Sequence, residues 1–302
     1  LIATPDKQLA FQDWGRHFAS MKSSLNSIEF CQQMVRRDDR DRFDTCLFAP
    51  SDVQPKLWTL YAFNQEIAKT RDSVSEPALG EIRLQWWRDA LEEVKAGRGR
   101  EHPVVQAVED HLNSPKLLGL LGQLIDAREA DLFDEGPASF DALRSYAEGA
   151  GGILAELALM VSINDPSSAL LERARRTGAA WAMLGLVRAV PFHWADNRTY
   201  LPGEEGRSAL AATSADTMYE LAKPALDQML SFSAEVFEGK AKEPVLVPGP
   251  ARHVFLLDAI GRQYLSQLKK ADGNPFKMTE VSDFKRLWLL FITSLSGRSS
   301  KV

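Results

Sequence analysis

The side chains of this sequence that could do chemistry are acids, arginines and one histidine set at helical spacing. Asp72 and Glu76 stand four apart, and carboxylates one turn apart on a helix project together. Pro77 weakens that geometry, because the residue before a proline is biased away from helix. His193 with Asp196 offers two metal-ligand types without a third nearby. Asp126, Arg128, Glu129 and Asp131 fall on one predicted helix, where they could serve a site or pair with one another at i,i+3 and i,i+4. Arg36, Arg37, Arg40 and Arg42 interleave with Asp38, Asp39, Asp41 and Asp44. That pattern reads first as a solvated, internally paired connector and second as a diphosphate or partner contact. The sequence has no Gly-x-Ser-x-Gly elbow, no phosphate-binding glycine loop and no zinc-protease helix motif.

The elements that must position these groups are helices. Apolar residues recur at three-and-four spacing with almost no period-2 alternation, which predicts an all-α protein. Ser51 with Gln54 forms a capping-box signature that predicts a helix from about Asp52 to Val74, with Pro77 helping to end it. Further helices are predicted over Leu79 to Ala96, stopped at Gly97, then from Pro103, and between Pro115 and Pro137. Residues 139 to 163 follow, interrupted by Gly149, Gly151 and Gly152; Asp165 and Pro166 then predict the start of a helix reaching Val190. Pro248-Gly249-Pro250 separates two final helices, 251 to 271 and 282 to 296. No longer polar linker occurs, so a single domain of roughly ten helices is expected.

Two of these helices can be read by face. Leu57, Leu60, Tyr61, Asn64, Ile67, Ala68, Arg71 and Asp72 lie along one side, a stripe that begins apolar and ends polar. Asp72 at its end needs a partner, Lys69 or a guanidinium, or a place near the rim. Gly178, Ala182, Gly185 and Ala189 form a small-residue stripe, suited to close helix approach or to leaving room for a long ligand. Pro191 predicts a break there, so that His193 need not stand one turn above Ala189.

Composition bounds the setting. The chain has 302 residues, 45% hydrophobic and 25% charged, with a net charge of −5 that argues against a general nucleic-acid binder. Cys31 and Cys46 make neither a disulfide framework nor a zinc spacing and read as small buried hydrophobes suited to a reducing compartment. The densest apolar run, Leu287 to Ile292, is far shorter than the roughly 20 residues of a membrane span. Lys285 and Arg286 beside it could touch a membrane surface, although a buried terminal helix with a charged start is the preferred reading. Residues 1 to 25 contain no secretory signal, and the sequence leaves open whether a targeting peptide preceded them.

The runs Leu60-Tyr61-Ala62-Phe63, Trp86-Trp87-Arg88-Asp89-Ala90-Leu91, His102-Pro103-Val104, Tyr146-Ala147-Glu148-Gly149-Ala150-Gly151-Gly152 and Arg198-Thr199-Tyr200-Leu201-Pro202 occur in an order that resembles the squalene/phytoene synthases. The resemblance implies a helical class I isoprenoid-synthase fold over residues 28–296, with an N-terminal extension at 1–27 and a polar tail at 297–302. In that family two facing helices each carry Asp-x-x-x-Asp, and the four carboxylates hold magnesium ions against a prenyl diphosphate, whose departure the metals assist as Lewis acids. Aligned on these runs, the first pair falls on Ala68 and Asp72 and the second on Ala189 and His193. Three of the four ligands are absent.

The segments Ala62 to Glu66, Lys69 to Glu76, Arg83 to Trp87 and Arg188 to His193 resemble a divergent branch of that family, the mitochondrial respiratory complex I assembly factors. This implies a non-catalytic protein whose partners are respiratory complex I subunits or assembly factors. The implied location is the mitochondrial matrix, peripheral to the inner membrane, or the cytoplasm in a bacterial relative. No catalytic residue, metal or cofactor is expected; magnesium enters only under the alternative, a prenyl-transferase condensing isoprenoid diphosphates. With acids lost, the inherited cavity is expected to carry arginines with fewer anions to balance them and to suit an isoprenoid or lipid ligand. Its candidate ligand-binding residues are Asn64, Arg71, Asp72, Glu76, Arg83, Arg128, Asp131 and Arg188.

Overall fold

The computed structural model describes residues 26–74, 76–239, 245–279 and 282–296. The expected extension and tail lie outside these residues, except that Asn26 and Ser27 open the first helix. Among the described residues there are helices and turns and no strand, as the periodicity predicts.

Helix α1 (Ser27–Asp38) starts with a full capping box between Asn26 and Glu29 and runs through Asp39 into the short α2 (Arg40–Cys46). Next come α3 (Gln54–Ala68) and a 3-10 turn (Arg71–Ser73), then α4 (Pro77–Lys95), α5 (Pro103–His111) and α6 (Pro115–Ala127). Proline opens each of α4, α5 and α6, where its missing N–H costs nothing. The 3-10 turn Arg128–Leu132 leads to α7 (Phe140–Ala147), a π turn (Glu148–Gly152) and α8 (Ile153–Ser162). The longest helix is α9 (Ser168–Ala195), followed by α10 (Gly203–Leu210) and α11 (Ala215–Glu238). A 3-10 segment (Gly249–Phe255), α12 (Leu256–Lys270) and α13 (Asp283–Ser296) complete the described chain.

Buried side chains fall into two clusters, one around α1, α3 to α6 and α8, the other around α7 and α10 to α12. Helix α9 joins them, giving Leu170 and Ala174 to the first and Trp181 to Val190 to the second. Trp87 is buried in the first cluster with Phe63 edge-on at 5.3 Å and His102 at 5.2 Å, while Trp86 stands at its rim under Arg100. Both cysteines are buried and free.

Four sequence expectations need correction. Helix α3 has no side-chain cap; Gln54 Nε2 donates instead to Ala49 O at 3.1 Å, so the Ser51–Gln54 box does not form. The helix also ends at Ala68, because Pro77 opens α4 and draws Val74 and Glu76 into extended backbone; Asp72 and Glu76 therefore share no helix. Asp165 adopts φ 49° and the cap of α9 is Ser167, which accepts from Leu170 N at 3.3 Å. Most consequentially, α9 continues through Pro191 to Ala195. The proline costs about 3 kcal/mol in a helix interior, but Val187 and Val190 are buried before it and Trp194 packs on Phe276 at 5.7 Å after it, so packing on both sides outweighs that cost.

The terminal helix α13 is only half buried. Arg286, Leu290 and Thr293 face inward, whereas Phe284, Trp288, Phe291 and Leu295 are exposed. The sequence reading of a simply buried terminal helix holds for one face alone.

Candidate functional site

The stripe on α3 and the small-residue stripe on α9 meet at one cavity of about 220 Å³. From α3 and its following turn come Ala68, Arg71 and Asp72; from α9 come Leu186, Ala189 and His193. All four positions singled out by spacing, Ala68, Asp72, Ala189 and His193, line this space. Since α9 is unbroken, His193 does stand one turn beyond Ala189 on the same face.

The small residues divide their work. A Cβ on Gly178 would lie 2.1 Å from Gly151 O, and one on Gly151 would lie 2.3 Å from Gly178 O, so α9 and the π turn touch backbone to backbone. Gly185 has nothing within 4 Å of its Cβ position and leaves space. The stripe thus packs closely at Gly178, and its last member, Ala189, lines the cavity.

One wall is a fixed polar network. The 3-10 turn after α6 aims Arg128 inward, where its Nη1 donates to Tyr146 OH at 2.9 Å and to Asp131 Oδ2 at 3.2 Å, and its Nη2 to Asn64 Oδ1 at 3.0 Å. Tyr200 OH donates to Asp131 Oδ1 at 2.8 Å. Both Asp131 oxygens are engaged, and burial pushes the Tyr146 and Tyr200 hydroxyls well above their ordinary pKa, so they remain donors. Asp126 and Glu129, on the same stretch of chain, instead face outward and pair with Arg88 at 2.8 and 2.5 Å.

The mouth is built of longer-range pairs. Arg71 Nη2 donates to Asp134 Oδ1 at 2.6 Å and its Nη1 to Val74 O at 3.2 Å. Arg198 Nη2 donates to Asp72 Oδ1 at 3.0 Å and lies 3.5 Å from Asp196 Oδ2. The partner of Asp72 is this guanidinium, while Lys69 pairs with Asp38. The His193 ring packs against Tyr200 at 4.8 Å between centroids with the planes tilted by 47°, and its Nδ1 has no hydrogen-bond partner. Burial, then Arg198, lowers its pKa, so the ring is neutral at neutral pH.

Three expected site residues lie elsewhere. Glu76 stands at the N-cap position of α4 without a side-chain cap bond, and Arg83 pairs with Glu66 at 3.1 Å in a buried contact with α3. Arg188 points from another face of α9, 3.5 Å above the Tyr264 ring and 3.8 Å from Asp41. The expected surplus of unbalanced arginines is therefore not what the geometry contains: Arg71, Arg128 and Arg198 line the cavity, and each has a carboxylate. The arginine and aspartate run of residues 36 to 44 is likewise only partly a solvated connector, since Asp41 and Asp44 are buried. Tyr146, Leu186, Arg198 and Tyr200 were missed as lining residues, although Tyr146 and the Arg198 to Pro202 run stood among the resembled segments.

The donor set does not fit a magnesium cluster. Asp72 and Asp131 are the carboxylates in the lining, one bonded to Arg198 and the other to Arg128 and Tyr200. Magnesium wants several oxygen ligands in near-octahedral array, and alanine at 68 and 189 supplies none. Among the described residues no group of three or more His, Cys, Asp or Glu is placed to hold a metal.

A helical bundle with facing helices around such a pocket defines the isoprenoid-synthase class of fold. A dehydrosqualene synthase in complex with ligand superposes with TM-score 0.70 at 16% identity, covering 96% of this chain and 99% of its own. Squalene synthase HpnC from Alicyclobacillus acidocaldarius gives 0.68 at 19% identity, over 83% of this chain and 95% of that one. The chain belongs to the squalene/phytoene synthase family, whose model matches residues 35–289. Among curated relatives, the Mus musculus NADH dehydrogenase (ubiquinone) complex I, assembly factor 6, is 31% identical over 178 residues, 57% of this chain and 52% of that protein. The chain spans about half the length of the mammalian relatives it matches.

Proposed function

We propose that this chain is a non-catalytic member of its family that assists assembly of respiratory complex I, with complex I subunits or assembly factors as partners. The observation that carries the reading is the convergence of Ala68, Asp72, Ala189 and His193 on one cavity whose remaining motif carboxylate is bonded to Arg198. Diphosphate departure needs concentrated positive charge at the leaving oxygens, and here the cations are already matched by Asp72, Asp131 and Asp134. Relatives named as complex I assembly factor 6 support the same reading. The corresponding location is the mitochondrial matrix, peripheral to the inner membrane, or the cytoplasm in a bacterial host. Among the described residues no helix is long and apolar enough to cross a membrane.

Two measurements test this. Incubation with farnesyl or geranylgeranyl diphosphate and magnesium is expected to release no diphosphate above background, and release at enzymatic rates would establish the alternative, a prenyl-transferase. Removal of the gene in the native host should lower assembled complex I, with complex I components recovered in a pull-down; normal assembly would sink the assembly role.

A bound isoprenoid or lipid is favoured by one feature of the mouth. Asp72 and Asp134 are 64% and 54% exposed, so an anionic headgroup could displace them from Arg198 and Arg71 without stranding a buried charge. Organic extraction and mass spectrometry of the purified protein should recover such a ligand, and repeated absence would exclude it.

A further inference from the structure

We propose that the groove between α4 and the 3-10 turn Arg128–Leu132 is the docking site for a segment of a partner protein that carries an apolar side chain flanked by lysine or arginine. The groove holds about 440 Å³, against about 220 Å³ for the cavity described above, and the two share no lining residue. They lie on the two sides of one stretch of chain: Arg128 and Asp131 line the cavity, while Glu129, Leu132 and Phe133 line the groove. Helix α4 supplies the other wall with Glu81, Ile82 and Arg88. Leu132 is buried, packed so closely on α4 that a Cβ on Gly80 would lie 2.3 Å from its Cδ2. Beside it, Ile82 and Phe133 are 58% and 56% exposed. A single exposed apolar side chain is ordinary, but two that line one groove with a buried leucine form an apolar strip that a partner's side chain can cover.

The charges identify the kind of occupant. Arg88 Nη2 donates to Asp126 Oδ1 at 2.8 Å and to Glu129 Oε1 at 2.5 Å, so one guanidinium serves two carboxylates whose side chains are 63% and 59% exposed. Glu81 is exposed and has no cationic partner among the described residues. The groove and its rim therefore present three carboxylates against one base. That surplus repels phosphate, nucleic acid and anionic lipid headgroups and attracts a lysine or arginine. The apolar strip in turn disfavours a metal ion or a small amine, either of which would leave Ile82 and Phe133 in water. A protein segment with a cation on either side of an apolar residue answers both halves of the surface. The walls are already in place to receive it, since Leu132 packs the turn onto α4 and Arg88 ties α4 to Asp126 and Glu129.

The groove fixes where a partner sits and what chemistry it carries, not the complex to which it belongs, so the groove can fail while the assembly role stands, and the reverse. The full chain is titrated with a fluorescein-labelled amphipathic peptide of leucine and lysine, and with its counterpart in which glutamate replaces lysine. The lysine peptide is expected to bind and the glutamate peptide not to. Ile82→Ser combined with Phe133→Ser should weaken binding at least about tenfold. Glu81→Lys should weaken it and flatten its dependence on salt, and this variant decides should the double variant not fold. Phe284→Ser, on the exposed face of α13, should leave binding unchanged. In the native host, a photo-crosslinking benzoylphenylalanine in place of Ile82 should capture a peptide of another protein with lysine or arginine beside an apolar residue. No binding of the lysine peptide, equal binding of the glutamate peptide, or equal binding by the groove variants would overturn the proposal. So would the absence of a crosslink, or a crosslink to lipid, to a second copy or to residues of the same chain.

Discussion

The Arg198 guanidinium reaches Asp72 at 3.0 Å across the mouth of the cavity, linking residues 126 positions apart in the chain. It puts a protein cation beside the Asp72 carboxylate, at the junction of the loop after α9 and the turn after α3. The pair is half open to water, since the Asp72 side chain is 64% exposed. It therefore shapes the mouth electrically more than it holds the fold together.

Arg198→Ala or Asp72→Asn is accordingly expected to shift stability by less than about 1 kcal/mol. Urea unfolding checks this. A larger loss would mean that the pair braces the loop after α9 rather than only neutralising the site.

Arg286 should behave in the opposite way. Asp44 is fully buried between Arg286 and Arg40, whose Nε lies 3.0 Å from Asp44 Oδ1. Removing Arg286 takes from Asp44 its buried, hydrogen-bonded partner and leaves it only the half-exposed Arg40, so Arg286→Met should cost up to about 3–5 kcal/mol. Urea midpoints compared with wild type read the effect, and a cost below that of Arg198→Ala would contradict the burial argument.

Helix α9 offers a contrast between two glycines. Gly178→Ala would force a Cβ to within 2.1 Å of Gly151 O, a backbone atom that cannot swing aside, and overpacking of this kind costs at least about 1–3 kcal/mol. Gly185→Ala meets nothing within 4 Å and should stabilise the helix by about 0.5–1 kcal/mol. Thermal unfolding of the two variants should move in opposite directions.

His253 sets an acid limit. Its Nε2 lies 2.8 Å from Ser162 Oγ, the Ser162 hydroxyl donates to Ala158 O, and burial pushes the ring down to about 4 from 6.5. As pH falls below the unfolded value, the unfolded chain takes up a proton that the folded one refuses until the folded value is reached. Stability is thus lost on acidification through that window, by on the order of 3 kcal/mol in full. His253→Gln should flatten the change in urea midpoint between about pH 7 and about pH 5; an unchanged slope would assign the acid limb to other groups.

Much of the molecule was legible in the sequence. Three-and-four periodicity gives an all-α chain, the prolines at 77, 103 and 115 mark the first turns of helices, and the stripes on α3 and α9 converge on the cavity as their faces require. These are local signals: a helix face and a cap are decided within about four residues. The resembled runs also singled out Ala68, Asp72, Ala189 and His193, and these four line the same cavity.

What the tertiary structure alone decided is where each charge finds its partner. From sequence, Arg83, Arg188 and Glu76 belonged with Asp72; in the fold they turn to Glu66, to Tyr264 and Asp41, and to the start of α4, while Arg198 arrives from a loop far along the chain. Pro191 likewise reads as a helix stop until the packing of Val187, Val190 and Trp194 on either side is known. The outward face of α13 is the same kind of fact, because Asp44 and Arg286 stand 242 residues apart and only their meeting settles which side of the helix is buried. Ion pairing and helix orientation depend on which surfaces the whole bundle brings together, and no local periodicity encodes that.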